Sequence, residues 1–293
     1  MNNLNFYSDV KSKQFLSITQ KRICFLGACT ARNLANGISY FSNNRIAAYA
    51  PYDTIFNAPS LLKDLEIVTN NLRHKVIIDE YYHEFRDSIR FWNKSSNLND
   101  VIDKNKIIDS NIIDSVKNAD LVIVSLGSAE MWKKNGRIIN RLPKSDFNSS
   151  EIENIYLSSE EVASIAKDII KCVNSINPSA KIQFSISYII LKASERFSNL
   201  YLATTENYRI LKNAIINLGE DYYFPEYELF KYYANDIRKF QDDNRHFNVE
   251  LIAEVSKHIV KEVDEKLLCD IHEVPFSIKK VNNKGKVYGE EQL

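Results

Sequence analysis

Cysteine is scarce in this chain: Cys24, Cys29, Cys172 and Cys269 are the only four in 293 residues. They are too few and too spread for a disulfide framework, which makes a reducing compartment the expectation. Cys24 and Cys29 have no histidine or second cysteine pair nearby, so no metal site is expected. Glycine numbers only seven, which argues against a glycine-rich all-β fold. Charge of one sign is also missing. The 38 Lys and Arg balance the 38 Asp and Glu, and the overall field offers no net attraction to nucleic acid or anionic lipid. No apolar stretch is long enough for a membrane span, so no membrane insertion is expected, and the opening "MNNLNFYSDVKSKQFLSITQKR" lacks the apolar run of a secretory leader. A cytoplasmic protein is the expectation. No internal repeat is visible.

What is there is an ordinary globular composition, 44% hydrophobic and 26% charged. Short apolar runs alternate with amphipathic segments, the pattern of a parallel sheet covered by helices on both faces. Strands are predicted at "RICFLG" (22–27), "KVIID" (75–79), "ADLVIVSLG" (119–127) and "AKIQFSIS" (180–187), all apolar enough to be buried on both sides. "SSEEVASIAKDIIKCVNSI" opens with a Ser158 to Glu161 capping signal and is predicted helical. So are "NYRILKNAIINLG", closed by Gly219, and "NVELIAEVSKHIVKEVDEKLL", whose Leu251, Ile252, Val255, Ile259, Val263 and Leu267 form one stripe. The expected organisation is a single catalytic domain over 1–269, interrupted at roughly 85–118 by a polar loop and short helices acting as a cap. A loosely packed polar tail over 270–293 completes it.

In such a sheet, ligands collect at the carboxyl ends of the strands. Cys29 falls there, after Gly27 and at the start of a helix, where the helix dipole and unpaired N–H groups favour thiolate. A nucleophile also needs a base. Among the five histidines, His246 stands out in "DDNRHFN" just before the last helix, with Asp243 three residues earlier; that spacing brings a carboxylate beside the imidazole and fixes its tautomer. Asp242 is less favoured by spacing. Cys, His and Asp drawn from opposite ends of the chain would make an acyl-transfer site. The alternative is that Cys29 is a small packing residue, as Cys24 is expected to be, and that His246 is a cap or core residue. His83 in "DEYYHEF" is a reserve candidate for the substrate site. Glu130 and Trp132, just after a predicted strand end, are placed to face the pocket; the Trp is either a sugar platform or buried apolar area. The tyrosines of "YYFPEYELFKYY" make either a glycan surface or packed structure, and "KKNGR" has hairpin-turn chemistry.

A nucleophile after the first strand and Asp-x-x-His before the last helix resemble the SGNH (GDSL-like) hydrolase superfamily. More specifically, "LGACTARNLA" is similar to the signature of the GSCFA family, with Gly27, Cys29 and Ala31 retained, Ala28 in place of the serine and Thr30 in place of the phenylalanine. "APYDTIFNAPSLL", "VSLGSAEMW", "SIS", "YFPEYEL" and "DDNRHFN" follow in order over nearly residues 22–260. The resemblance implies a three-layer, doubly wound, SGNH-hydrolase-like α/β fold, with Cys29 as nucleophile and Asp243 and His246 in the charge-relay positions. It further implies an oxyanion hole from the nucleophile turn, a glycine of block II and an asparagine of block III. Here block III reads Gly127 to Glu130 with Ala129 in place of the asparagine, and the block II glycine is lacking. Asn57 and the N–H of Ser128 are the expected substitutes.

A cysteine nucleophile forms a thioester, and exchange with another thioester such as an acyl-CoA is nearly balanced, whereas passing the acyl group to a sugar hydroxyl is downhill. GSCFA proteins are associated with polysaccharide biosynthesis. The resemblance and the chemistry together imply an acyltransferase that O-acetylates a surface or capsular polysaccharide unit, with acetyl-CoA as donor, a carbohydrate as acceptor and other polysaccharide-biosynthesis enzymes as potential partners. A carbohydrate acylesterase using the same residues, and a catalytically silent glycan-binding module, are the alternatives.

Overall fold

The computed structural model describes residues 21–72, 78–81, 84–142, 149–191, 194–234, 237–269, 274–281 and 287–293. Along the chain, β1 (Arg22–Gly27) leads into α1 (Cys29–Phe41), then the three-residue β2 (Ala47–Tyr49) and α2 (Ala58–Thr69). An excursion of β3 (Ile78–Tyr81), β4 (Glu84–Asp87) and β5 (Lys94–Ser95) ends in α3 (Leu98–Lys117), and β6 (Leu121–Leu126) returns to the main sheet. A second excursion, β7 (Glu130–Lys134), β8 (Arg137–Ile139) and β9 (Ile152–Tyr156), precedes α4 (Ser159–Ile176) and β10 (Lys181–Ile186). The last third carries α5 (Leu200–Ile216), α6 (Glu226–Tyr233), α7 (Val249–Asp264) and a hairpin of β11 (Ser277–Val281) and β12 (Val287–Gln292).

The main sheet has the order β10-β6-β1-β2 and is parallel throughout. Its strands read as apolar runs because both faces are covered. Ile23 and Phe25 of β1 and Leu121 and Ile123 of β6 pack with α1, α6 and α7. Cys24 and Leu26, with Val122, Val124 and Leu126, pack with α2, α3, α4 and α5 on the other side. The period-2 alternation of a strand therefore divides one apolar run between two helical layers. From β1 the chain goes one way to β2 and comes back on the other side at β6, so the strand order reverses at the β1/β6 boundary. That reversal is where α/β sheets bind ligands, at the carboxyl ends of the strands.

Two helices frame that boundary. α1 and α7 touch at mid-length, where a Cβ on Gly37 would meet Ser256 Oγ at 2.1 Å. They meet again at their far ends, where the Cys269 N–H donates to the Phe41 carbonyl at 2.7 Å and Arg45 donates to the carbonyls of Lys266 and Leu267. The pair thus runs side by side in one direction, and both N-termini open at the same edge of the sheet.

Several expectations are corrected. The segment at 75–79 is not a strand of the parallel sheet: its described part, Ile78 and Asp79, lies in β3, antiparallel to β4. The fourth parallel strand is β2, which is too short to show a pattern. The excursion expected as a polar loop and short helices is a small antiparallel sheet plus the 20-residue α3. Its anchor is the wholly buried Arg90, which pairs with Asp64 of α2 (3.1 Å) and Asp109 of α3 (2.6 Å). The segment expected as a loose tail forms the β11–β12 hairpin, with Phe276 and Ile278 buried in the α1/α7 layer. The Asn135–Gly136 turn in "KKNGR" joins β7 to β8 as expected, both residues having positive φ.

Candidate active site

Cys29 is the first residue of α1. What precedes it is a tight turn: Gly27 has φ +107°, its N–H donates to Tyr52 Oη (2.9 Å), and its carbonyl accepts from the Ile55 N–H (2.7 Å). The next N–H, of Ala28, crosses to the Ser125 carbonyl at the end of β6 (2.9 Å). Ala28 occupies the N-cap position with no side-chain hydrogen bond, so the first-turn N–H groups are not taken by a capping side chain. The N–H of Cys29 lies against its own sulfur.

Burial pushes the half-buried Cys29 thiol up, the charges of Arg32 and Arg245 pull it down, and Glu226 opposes them. Burial prevails, and the thiol is raised rather than favoured as thiolate by the helix terminus. Cys24, inside β1, is wholly buried and pushed up to about 12, as a core residue should be.

His246 sits on the turn before α7. Asp243 builds that turn: its Oδ1 accepts the N–H groups of Arg245 (3.0 Å) and His246 (2.9 Å), and its Oδ2 meets His246 Nδ1 at 2.6 Å. Asn244 takes positive φ to let the chain reverse. The Asp243 side chain is 3% exposed and that of His246 27%, so the carboxylate is sealed behind the ring while the ring reaches the surface. Burial would raise the Asp243 carboxyl, but the hydrogen bonds from His246 and Arg245 hold it below the ordinary carboxylate value. Burial lowers the His246 imidazole, Asp243 opposes the shift, and Arg245 and Arg32 add to it. With Nδ1–H given to Asp243, Nε2 of the neutral ring is left to accept a proton.

Arg32 and Arg245 therefore act on both the thiol and the imidazole. α1 and α7 run in the same direction, so Cys29 at the start of the one and His246 in the turn before the other lie toward the same, carboxyl edge of the sheet. The cavity lined by Arg22, Lys117, Asp120, Asn177 and Lys181 lies at the opposite, amino end of the strands. It holds the Arg22–Asp120 ion pair, and its Ser179 hydroxyl is given to Asn177 Oδ1 at 2.7 Å.

The oxyanion expectation needs correction at Ser128. Its N–H donates to the Phe56 carbonyl (3.0 Å), as does that of Gly127 (2.8 Å), and the Ala129 N–H donates to Asn207 Oδ1 (2.6 Å). A Cβ on Gly127 would lie 3.0 Å from the Phe56 oxygen, so this glycine serves close strand-to-loop packing. Asn57 is buried beside Ser128; its Oδ1 caps α2 through the Ser60 N–H (2.9 Å), and its Nδ2 has no acceptor among the described residues. Glu130 is buried and holds Tyr156 Oη through a short hydrogen bond, which makes it a strut of the β7–β9 sheet rather than a pocket group. Trp132 pairs with Ile139 and Asn154 within the same sheet. His83 lies outside the described residues. The tyrosine-rich stretch is largely packed: Tyr227 stacks on Tyr208 at 3.7 Å, and Tyr223 donates to Glu228 at 2.6 Å.

Sequence reading missed two features. Arg32 and Arg245 were in plain view, in "CTARN" and "DDNRHFN", but side chains at those spacings are ordinarily solvated. Glu226 of "YFPEYEL" is wholly buried beneath the nucleophile turn, accepting from Ser185 Oγ (2.5 Å) and from Thr30 Oγ1, which in turn reaches Ser187 Oγ (3.0 Å).

Comparison with curated proteins and with solved structures gives no match. The GSCFA family matches residues 22–259, from the first strand into the last helix; that span is well over half of the chain, which belongs to the GSCFA family.

Proposed function

We propose that the protein is an acyltransferase of SGNH type that moves an acetyl group from acetyl-CoA to a hydroxyl of a surface or capsular polysaccharide unit. The observation that carries this reading is the 2.6 Å Asp243–His246 pair, opened toward solvent at the edge where α1 presents Cys29. In the resting site the thiol is protonated and the imidazole neutral, the pairing that general-base activation requires.

His246 Nε2 takes the Cys29 proton as Sγ attacks the thioester carbonyl. The tetrahedral oxyanion collapses, the C–S bond to CoA breaks, and the proton passes from the imidazole to the departing thiolate. In the second half a sugar hydroxyl gives its proton to His246 and attacks the acyl-Cys29 thioester, and Sγ leaves with that proton. Asp243 holds the ring in one tautomer and stabilises the imidazolium formed in each half. The oxyanion donors in this scheme are the N–H groups of Cys29 and Thr30 at the start of α1, that of Ala31 being given to the Ala28 carbonyl (3.0 Å), and Asn57 Nδ2. One such donor is worth about 3 kcal/mol in the barrier.

The amides of Gly127 and Ser128, both given to Phe56, favour a second reading in which the chain binds glycan without chemistry. Release of CoA from acetyl-CoA decides among the readings. Release that requires added glycan and vanishes in Cys29→Ala supports the transferase. Acetate release from an acetylated glycan without CoA selects the acylesterase, and glycan binding unaffected by Cys29→Ala with no turnover selects the binding module.

A further inference from the structure

The chain as a whole carries no net charge, but cations gather near Cys29. Arg32 comes from α1 and Arg245 from the turn before α7, and both act on Cys29 and His246. Arg141, just past β8, follows Asn140, whose side chain bonds the Thr54 carbonyl and the Phe56 N–H of the loop that meets the Gly27 carbonyl, and it feels the charges of Arg245 and of Arg86 of β4, as Lys279 of β11 feels Arg32. Arg32, Arg245 and Arg141 thus come from three separate elements toward the edge that carries Cys29.

Among the described residues Arg86 meets Glu84 at 3.5 Å and Arg32 has Asp53, but no acid pairs with Arg141 or Arg245. Asp243 is committed to the His246 ring and to two backbone amides. Arg245 donates Nε to the Ile190 carbonyl (2.8 Å), which fixes the plane of the guanidinium; its Nη groups have no acceptor among the described residues. Arg141 is laid over the Phe91 ring, 5.1 Å from its centroid, and has no carboxylate within ion-pair distance among the described residues. Two like charges, partly desolvated and each held by a neutral group, oppose one another until an anion enters. A guanidinium fixed in plane by its Nε bond presents its remaining N–H groups as a fork, the geometry that matches phosphate and carboxylate.

We propose that Arg141 and Arg245, with Arg32 beneath them, form a cradle beside Cys29 for a phosphate or carboxylate group of the substrate. The use of the bound group rests on the acyl-transfer reading; its binding does not. A phosphate would come from the acyl donor, a carboxylate from an acidic sugar acceptor.

The test compares alkylation of Cys29 by iodoacetate, an anion, and iodoacetamide, its neutral analogue, followed by peptide mapping with Cys172 and Cys269 as internal controls. The ratio of the two rates cancels the thiolate fraction. We expect the ratio at Cys29 to fall several-fold in Arg141→Gln and in Arg245→Gln, and the ratios at the controls to stay unchanged. Protection of Cys29 by inorganic pyrophosphate beyond sodium chloride of equal ionic strength identifies the phosphate source, and protection by glucuronate the acidic sugar. An unchanged ratio in both variants, with no protection by either anion, overturns the cradle. If Cys29 reacts with neither reagent, calorimetric titration takes over: binding of pyrophosphate or glucuronate that is lost in Arg141→Gln supports the cradle, and no binding of either to the wild type overturns it. Because neither measurement needs turnover, failure of the cradle and failure of acyl transfer are told apart.

Discussion

Replacing Gly27 by alanine perturbs the nucleophile turn at its tightest point. A Cβ there would sit 2.0 Å from the Ser125 carbonyl oxygen and 2.9 Å from its carbon, both backbone atoms of β6, at φ +107°. No side chain can move aside. The ends of β1 and β6 must separate, straining three bonds: Ala28 N–H to Ser125, Gly27 N–H to Tyr52 and Ile55 N–H to Gly27. Backbone strain at such a dihedral is roughly 1–3 kcal/mol, and one or two weakened hydrogen bonds add about 1 kcal/mol each. The sum, roughly 2–5 kcal/mol, lowers the melting temperature by roughly 4–20 °C for a chain of this size. Gly136→Ala is the control. Its Cβ would meet nothing within 4 Å and only the positive φ is strained, which costs about 1–2 kcal/mol. Calorimetric melting of both variants, with the alkylation rate of Cys29, separates local strain from the crossing of β1 and β6. If Gly27→Ala melts with Gly136→Ala and its thiol reacts as in the wild type, the tight crossing is not what positions Cys29.

Four further outcomes are expected. Because burial and the flanking guanidiniums lower His246, the acid limb of kcat/KM falls below the ordinary imidazole value of 6.5; removing a positive charge in Arg245→Gln moves that limb to higher pH, and a limb that stays in place or moves down contradicts the assignment. The same variant moves the alkylation profile of Cys29 to higher pH, while Glu226→Gln, which removes a negative charge, moves it to lower pH; shifts of equal sign would refute the electrostatic account. Glu226 is raised by burial, so the folded state holds its proton more tightly than the unfolded chain. Its contribution to stability is complete below the ordinary carboxyl value and is lost as pH rises through the folded value; melting temperatures of Glu226→Gln and wild type should therefore diverge in favour of Gln as pH rises from 5 to 8. Asp243→Asn keeps the turn only in part and reverses the tautomer preference of His246, and should lower kcat far more than KM, by on the order of 10³–10⁴-fold as for other orienting carboxylates; a loss confined to KM would make Asp243 a merely structural residue.

How much of this was legible beforehand depends on how local the cause is. The capping box at Ser158 and Glu161, the Asn135–Gly136 turn and the Asp243–His246 contact each depend on residues no more than three apart, and each is found where the sequence puts it. The runs Ile23–Leu26 of β1 and Leu121–Val124 of β6 are legible for another reason, since four apolar residues in succession suit a strand covered on both faces. β2 escapes because three residues paired on one side leave no period to read. Residues 78 and 79 mislead because a β-branched run looks the same in a cap as in the main sheet. The β11–β12 hairpin hides behind its lysines. Among the residues whose burial is described, Phe276 and Ile278 turn inward, two positions apart, and the outward residues set the average. The commitment of the Ser128 amide to Phe56, and the burial of Glu226 beneath Thr30, join residues more than 70 apart in the chain, and no local pattern encodes either.

The most direct test of the account is intact-mass analysis of the protein after incubation with acetyl-CoA in the absence of acceptor, with peptide mapping to locate the label. The account predicts one acetyl group on Cys29, absent from Cys29→Ala and discharged when a carbohydrate acceptor is added. A folded protein that carries no acyl group on Cys29 with any acyl thioester, or whose label persists in Cys29→Ala, would contradict it.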